Sequence, residues 1–335
     1  MRIERLDARD DAAMAAWHEV FSASSRHERP FATPLMLEEM RAKLLAERDT
    51  QRDLAFSGFV EDTVACVGMC YLSLRDNLDQ AYVEVQTRPD LRRRGLGSTM
   101  LAHLEQVALD HARTVLVTEV TYPHDVAVDG AGARDVEWTR RRGYAFGLAH
   151  VQRVLELPAD ETLLRRLAAE AEPHHRGYTF RQFEGAVPDD LVDSFAAILG
   201  SLLTEAPTGE IEREPETFDA ERIRADEAVF AESGRTKFTT LALDGSGEVA
   251  AYSELVLPRH DPGHVYQWGT LARPQDRGHR LGLATKTRNL LWGQQRLGRA
   301  TLVTFNAESN LHMVRVNEQM GFRPVARLGK LLKRL

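Results

Sequence analysis

The chain of 335 residues carries 43 Lys and Arg against 50 Asp and Glu, a formal net charge of −7. The length suggests two domains, and 43% apolar with 28% charged residues is typical of a folded protein. The acidic balance argues against a nucleic-acid partner, which needs a basic face. There is no apolar run near the ~20 residues of a membrane span and no signal-peptide pattern. We therefore expect no membrane partner and a cytoplasmic location.

Hydrophobic periodicity and turn residues predict alternating strands and helices in both halves of the chain. In the first half we predict strands and helices in the order strand 2–7, helix 10–21, strand 65–74, strand 81–87, a helix around 100–108, strand 114–120 and a helical stretch ending at Gly143. The second half follows with strand 178–183, helix 188–199, strand 250–257, strand 264–272, a helix around 283–291, strand 300–305 and a helical stretch ending at Gly321.

The two halves are a repeat with an offset of 185 residues. The segment QTRPDLRRRGLGS at 86–98 aligns with LARPQDRGHRLGL at 271–283, which matches Pro89 with Pro274, Arg92 with Arg277 and Gly97 with Gly282. A repeat of this length indicates two copies of one mixed α/β (α+β) fold with a mixed sheet. We predict an N-terminal domain over 1–157, a linker over 158–176 and a C-terminal domain over 177–335.

The repeated turn is suited to bind an anion. Arg92-x-x-Gly95-x-Gly97 lies between a strand and a helix N-terminus, where unpaired backbone N–H groups and the helix dipole favour negative charge. Arg93 and Arg94 add positive charge, and a pyrophosphate is the natural ligand. The dinucleotide-binding GxGxxG and the GxxxxGK[ST] phosphate loop are both excluded, because neither turn has the required glycines or a Gly-Lys pair.

A strand, then Pro-x-x-Arg-x-x-Gly-x-Gly, then a helix resembles the acetyl-CoA loop of the GCN5-related N-acetyltransferases (GNAT family). Gly143-Tyr144 and Gly321-Phe322 resemble that family's last shared segment. The resemblance covers nearly the whole chain as two copies, and it is closest to the tandem, mycothiol synthase-like proteins of actinobacteria. It implies two GNAT acyl-CoA N-acyltransferase domains, each with two neighbouring strands that splay apart to hold acetyl-CoA as the cofactor.

The resemblance also implies which residues bind acetyl-CoA. In the first copy the pantetheine arm would lie along Val85, Gln86 and Thr87, and the pyrophosphate would lie on Arg93, Arg94, Gly95, Leu96, Gly97 and Ser98. In the second copy the corresponding residues are Thr270, Leu271 and Ala272 for the arm, Gly278, His279, Arg280, Leu281, Gly282 and Leu283 for the pyrophosphate, and Asn306 for the pantetheine amide. Arg280 replaces the first motif glycine, so the second turn is predicted to be sterically tighter.

Candidate catalytic residues follow from the chemistry of acyl transfer to an amine. A carboxylate must take the proton of the amine, and Glu84 and Glu254 lie on strands next to the expected clefts. Many family members have a Tyr acid four residues before the terminal Gly, but Thr139 and Asn317 occupy those positions. Asn306, Asn310 and Glu254 favour the second copy as the catalytic one, with Asn310 also able to cap a helix. No metal site is predicted.

The leading hypothesis is an N-acetyltransferase (EC 2.3.1 class) that moves an acetyl group from acetyl-CoA to a primary amine of a small-molecule acceptor. The alternative is an acyl-CoA-binding sensor without turnover, since the family's Tyr is missing from both copies. Aminoacyl transfer from a tRNA is a third interpretation, which the net charge disfavours. An acidic run from Glu205 to Glu221 predicts a cationic acceptor at the second cleft. Oligomeric state is left open.

Overall fold

The computed structural model describes residues 1–205, 209, 211, 214 and 216–335. Strands and helices follow one another in the order β1 Arg2–Arg5, α1 Asp11–Arg26, α2 Leu37–Leu45, β2 Gln51–Val60, β3 Thr63–Ser73, β4 Gln80–Thr87, α3 Leu96–Asp110, β5 Val115–Pro123, α4 Arg134–Arg140, β6 Ala145–Glu156, α5 Glu161–Ala171, β7 Thr179–Glu184, α6 Val192–Glu205, α7 Ala220–Glu232, β8 Arg235–Leu243, β9 Val249–Pro258, β10 His264–Ala272, α8 Leu281–Leu297, β11 Thr301–Ala307, α9 Leu311–Gln319 and β12 Arg323–Arg334. The predicted mixed α/β fold is confirmed. Helices α2 and α7 fill stretches that the sequence left irregular.

The chain forms two compact units. Unit 1 comprises Met1–Ala149, Gly209–Glu214 and Ala326–Leu335, and unit 2 comprises His150–Thr208 and Pro215–Val325. This division differs from the predicted boundaries at 157 and 177, because each unit takes its last strand from the other half of the sequence. The strand-forming residues do not reveal this exchange, since any apolar strand of suitable length can complete either sheet.

In unit 1 the strand order is β1-β2-β3-β4-β5-β12. Strands β1 to β4 pair antiparallel, β4 pairs parallel with β5, and β12 pairs antiparallel with β5 from Ala326 opposite Pro123 to Arg334 opposite Val115. Helix α3 buries the face that its sequence predicts, with Met100, Leu101 and Leu104 packed against the sheet.

In unit 2 the strand order is β6-β11-β10-β9-β8-β7. The parallel pair is β10 with β11, and β6 pairs antiparallel with β11 from His150 opposite Ala307 to Glu156 opposite Thr301. Helix α8 packs on the sheet through Leu283, Ala284 and Leu290. Strand β10 carries a register shift between Gln267 and Thr270 in its pairing with β9, whereas β4 pairs with β3 without a shift.

Among the described residues, no helix combines the length and the apolar composition that crossing a bilayer requires.

Candidate active sites in the two units

Both units contain a parallel strand pair that comes apart, as the family resemblance implied. In unit 1 the pairing of β4 with β5 ends at Tyr82 opposite Val117. In unit 2 the pairing of β10 with β11 ends at Gln267 opposite Thr304. Beyond these positions the strand edges hold backbone N–H and C=O groups that their parallel neighbour does not take. Such an edge can hydrogen-bond the amides of an extended ligand.

The two turns have the same backbone conformation, but a glycine and an arginine exchange positions between them. In unit 1 the left-handed residues are Arg93, with φ of 66°, and Gly95, with φ of 82°. In unit 2 the same two positions hold Gly278, with φ of 88°, and Arg280, with φ of 53°. Each turn thus pairs one glycine with one arginine that adopts the conformation at a modest energetic cost. The predicted pyrophosphate residues therefore form a turn at a helix N-terminus in each unit.

Different contacts hold the two turns. In unit 1 the guanidinium of Arg142 stacks 3.8 Å from the Trp138 ring centre and donates a hydrogen bond to Ser98 Oγ. In unit 2 His279 Nδ1 contacts the carbonyl oxygen of His174 at 2.9 Å, and Arg280 Nη1 donates to the carbonyl of Glu170 at 3.4 Å. The second turn therefore contacts the last turn of α5 and the segment that follows it. A strand edge for amides and a turn for a diphosphate fit an acyl-CoA donor in both units.

Glu84 of unit 1 ends a chain of hydrogen bonds that starts at the turn. Arg92 Nη2 donates to Ser24 Oγ at 3.1 Å, and Ser24 Oγ donates to Gln86 Oε1 at 2.7 Å. Gln86 Nε2 then donates to Glu84 Oε1 at 3.0 Å. Burial raises the pKa of Glu84, and the bond from Gln86 opposes that shift. A carboxyl with a raised pKa is suited to take a proton near neutral pH.

Two tyrosines and a second glutamate surround Glu84. Burial is the first cause of the raised pKa of both Tyr71 and Tyr82, and the charges of Glu84 and Glu119 add to it. Glu119 and Glu84 each lie two residues beyond the last β4–β5 pair. They therefore face the same side of the opened strands, since side chains alternate along a strand. Lys330 pairs with Glu119 at 3.3 Å.

Glu254 of unit 2 has a different environment. The residue is 4% exposed, and its Oε1 accepts a hydrogen bond from Lys237 Nζ at 3.2 Å. Its carbonyl oxygen accepts from Gln267 Nε2 at 2.8 Å. Because Ser253 pairs with Thr270 and Leu255 with Gln267, Glu254 lies opposite the bulged residues of β10. It therefore sits next to the point where β10 leaves β11.

Tyr252 points its hydroxyl at the same bulge. Its side chain is fully buried and stacks edge-on against Phe195 at 5.2 Å. A Cβ placed on Gly269 would lie 2.5 Å from Tyr252 Oη, so only glycine permits this approach. Among the described residues, Tyr252 Oη has no hydrogen-bond partner. A buried hydroxyl without a partner is rare, and this one is available to a group bound at the bulge.

A buried polar chain lies behind the opened edge of β11. Asn306 Oδ1 accepts hydrogen bonds from Arg153 Nη1 and Asn317 Nδ2, each at 3.1 Å. Lys286 Nζ donates to Asn317 Oδ1. Lys286 is 1% exposed and Arg153 is 4% exposed. Asn306 comes two residues after the last β10–β11 pair, so this chain connects the opened strand edge to a fully buried amine.

The corresponding positions of unit 1 are apolar. At the offset of 185 residues, Tyr252, Glu254, Lys286 and Asn289 align with the buried residues Val67, Met69, Leu101 and Leu104. On the opened strand, Asn306 corresponds to Glu119, since each lies two residues beyond the last parallel pair of its unit. The two units thus share a fold, but the buried polar side chains at the positions of Tyr252, Glu254, Lys286 and Asn289 are specific to unit 2.

The structure assigns local roles to two residues considered for catalysis. Asn310 Oδ1 accepts from Met313 N at 3.1 Å and so caps α9. This contact accounts for Asn310 without a catalytic role. Thr139 donates to the carbonyl oxygen of Asp135 within its own helix, at 2.9 Å. The sequence analysis missed Lys286, although it lies three residues after Leu283 and four before Leu290 and so shares their buried helix face.

The acidic run is described only in part. Glu210 and Glu212 lie outside the described residues. The backbone N–H of Glu214 donates to Asn77 Oδ1 at 2.8 Å, which attaches Glu214 to unit 1. Glu216 forms an ion pair with Arg222 at 2.6 Å. Glu214 and Glu216 therefore have structural contacts of their own.

Comparison with known proteins agrees with these features. Residues 14–129 match the family model described as "Acetyltransferase (GNAT) family". A tandem GNAT protein from the clavulanic acid biosynthesis pathway superposes with a TM-score of 0.80 at 22% identity, covering 99% of this chain and 98% of that one. A GCN5-related N-acetyltransferase from Sphaerobacter thermophilus gives 0.65 at 15% identity, covering 99% and 95%. No curated protein gives a significant match.

The GNAT family model thus matches residues 14–129 of unit 1, and the whole chain has the fold of a tandem GNAT protein. The predicted fold class and the predicted resemblance to the GNAT family are confirmed.

Proposed function

We propose that the protein transfers an acetyl group from acetyl-CoA to a primary amine of a small acceptor, and that the transfer takes place in unit 2. Unit 1 would bind acetyl-CoA through its own turn and strand edge without carrying out the reaction. The two units would therefore differ in activity although they share the fold and the turn geometry.

The polar interior of unit 2 carries this assignment. Burying Lys286 and Arg153 beneath a strand edge destabilises a fold relative to apolar residues of similar size. Unit 1 shows that the same fold is built with Leu101 at the position of Lys286. Buried groups with perturbed pKa values cluster at functional sites, and this network ends at the opened edge that fits the acyl donor.

The residues at the β10 bulge supply the remaining chemistry. Glu254 would accept the proton that the acceptor amine loses when it attacks the acyl carbon. Backbone N–H groups at the bulge and the hydroxyl of Tyr252 would donate to the acyl oxygen as it becomes negative. Burial and the charge of Glu254 raise the pKa of Tyr252 well above its ordinary value, so this hydroxyl keeps its proton at neutral pH.

The test is release of free thiol from acetyl-CoA with a panel of primary amines. The proposal predicts amine-dependent release. Measurable acetyl-CoA binding with no release for any amine would favour the alternative, a sensor without turnover. Product mass distinguishes transfer to the amine, which adds an acetyl group, from simple hydrolysis of the thioester, which does not.

Unit 1 is the second candidate for the reaction because of one observation. Glu84 is oriented by the chain from Arg92, and its raised pKa suits a general base. If unit 1 is the active unit, Glu84→Gln abolishes turnover and Glu254→Gln does not. The same pair of variants therefore separates the two candidates.

The charge of the acceptor is a further part of the proposal. The acidic run favours a cationic acceptor by raising its local concentration, although Glu214 and Glu216 already have partners. We expect kcat/KM for a polyamine or an amino sugar to fall as salt rises, because salt screens exposed charges. The variant with Glu210, Glu212 and Glu214 changed to Gln should respond less. A parent enzyme that is insensitive to salt or prefers anionic amines would contradict the cationic acceptor.

A further inference from the structure

Lys286 is a buried amine whose contacts with the described residues include no carboxylate. Its Nζ donates to Asn317 Oδ1, lies 4.0 Å from Met313 Sδ and sits 5.3 Å from the centre of the Phe322 ring. Lysine is rarely fully buried, and when it is, a counterion or a functional role usually accounts for it. The contacts of this amine account for only part of its donor capacity, since an ammonium has three N–H groups.

The place of Lys286 links it to the opened strands. Asn317, to which it donates, donates in turn to Asn306, and Asn306 lies on β11 beyond its last pair with β10. Each residue from Lys286 to Asn306 donates a hydrogen bond to the next. The positive charge is therefore at the Lys286 end, and the last accepting oxygen belongs to Asn306. A positive charge in so poorly solvated a position acts over a longer distance than it would in water.

We propose that Lys286, in its ammonium form, is the positioning residue that stabilises the negative charge on the departing sulfur in unit 2, acting through Asn317 and Asn306. The inference rests on the proposed function of unit 2 and names the group that compensates the leaving thiolate. It assigns a role to a residue that neither the turn nor the catalytic carboxylate explains.

The reaction balances without a proton from Lys286. The acceptor nitrogen forms a bond to the acyl carbon, the carbon–sulfur bond breaks, and its electron pair goes to sulfur. The proton that the nitrogen loses goes to Glu254 and then to water. The sulfur leaves as a thiolate and takes a proton from water on release. Lys286 keeps its proton throughout and supplies only its charge.

Burial supports this role because it makes the charge of Lys286 depend on pH and on an anion in the cleft. Desolvation lowers the pKa of Lys286 to about 7. The amine contacts Asn317 and Met313 of α9 and Phe322, the residue before β12, none of which titrates. The nearest charged group along the hydrogen-bond chain is Arg153 on β6. An anion in the cleft would hold the proton on Lys286 to higher pH.

The test compares binding of coenzyme A with binding of its desulfo analogue, which carries hydrogen in place of the thiol. Calorimetry is done in the Gly97→Asp background, so that unit 2 is observed alone. We expect the parent to prefer coenzyme A increasingly as pH rises from about 6 to about 7, by roughly tenfold, since the bound thiol ionises beside an amine that is already protonated there. The preference should level off between about pH 7 and 8.5, because the amine of the free protein then loses its own proton. In Lys286→Met this preference should disappear while the desulfo analogue still binds.

Two further variants keep the outcome interpretable. Lys286→Arg keeps the charge at all pH values, so it should retain the preference and flatten the alkaline limb of kcat. Lys333→Met removes a lysine that pairs with Glu105 in unit 1 and should leave binding unchanged. An undiminished thiol preference in a folded Lys286→Met variant would overturn the role of Lys286. If no coenzyme A binds in the Gly97→Asp background, unit 2 does not hold the donor and the proposed function itself fails, so the two failures are distinct.

Discussion

The two units have the same backbone fold, but their buried side chains differ in polarity. The interior of unit 1 has the apolar side chains of Val67 and Leu101 where unit 2 has Tyr252 and Lys286, and the opened strands carry Glu119 in unit 1 and Asn306 in unit 2. The polar set forms directed hydrogen bonds and leaves one hydroxyl without a partner among the described residues. An apolar interior is sufficient for the fold, so the polar one is better explained by a bound group whose charge changes during a reaction.

The largest expected difference concerns the two carboxylates. Glu254→Gln should lower kcat by about 10²- to 10⁴-fold, the usual effect of removing a general base. Glu84→Gln makes the same replacement of a carboxylate by an amide in unit 1, and it should leave kcat within about twofold of the parent. Initial rates of thiol release with one saturating amine measure both. A reversed order would move the reaction to unit 1, where the raised pKa of Glu84 would then set the acidic limb.

The turns give a matched pair of binding variants. Gly97→Asp and Gly282→Asp each place a carboxylate in the first turn of a helix, where it suits the helix but repels a pyrophosphate. A Cβ would meet Thr87 Oγ1 at 3.2 Å in the first and Thr270 Cγ2 at 3.7 Å in the second, so both variants should fold. Calorimetry should show the loss of one acetyl-CoA site in each, with affinity at that site at least tenfold lower. Two intact sites in either variant would exclude its turn from binding.

The buried amine predicts a pH-dependent difference in stability. The pKa of Lys286 is about 7 in the folded chain and about 10.4 when unfolded. Between these values the unfolded state binds more protons, so the parent gains unfolding free energy as pH rises from about 7 to about 10. Lys286→Met should be more stable than the parent at pH 6 by a few kcal/mol, since each pKa unit is about 1.4 kcal/mol. Urea unfolding should show this advantage shrinking towards pH 10, and a constant difference would contradict the burial argument.

The smallest expected effects test the exchanged turn residues. Gly95→Ala should destabilise unit 1 by about 1 kcal/mol, because a side chain at positive φ is strained. An added Cβ there meets no atom within 4 Å, so no clash adds to the strain. Arg280→Gly should relieve a similar strain in unit 2 while losing the contact to Glu170. Thermal unfolding that moves in the same direction for both variants would argue against the shared turn conformation.

Features that depend on short stretches of sequence could be predicted before the structure was known. The repeat and the anion-binding turn can be predicted from short segments around Gly97 and Gly282, and the resemblance of these segments to the GNAT family implied the splayed strands. The exchange of the last strands was not predictable, because β12 pairs with β5 across about 200 residues and nothing near either strand specifies the partner. Lys286 was missed for a different reason: a single lysine on an amphipathic helix is usually solvated, and only its spacing from Leu283 and Leu290 indicated burial.

The central claim is that both units bind acetyl-CoA but only unit 2 uses it. Its most direct test is the rate of acetyl-amine formation by Gly97→Asp and Gly282→Asp, measured side by side at saturating amine and at an acetyl-CoA concentration that fills the intact site. We expect Gly97→Asp to form product at the parental rate and Gly282→Asp to be at least a hundredfold slower. A parental rate in Gly282→Asp together with a lost rate in Gly97→Asp would contradict the account.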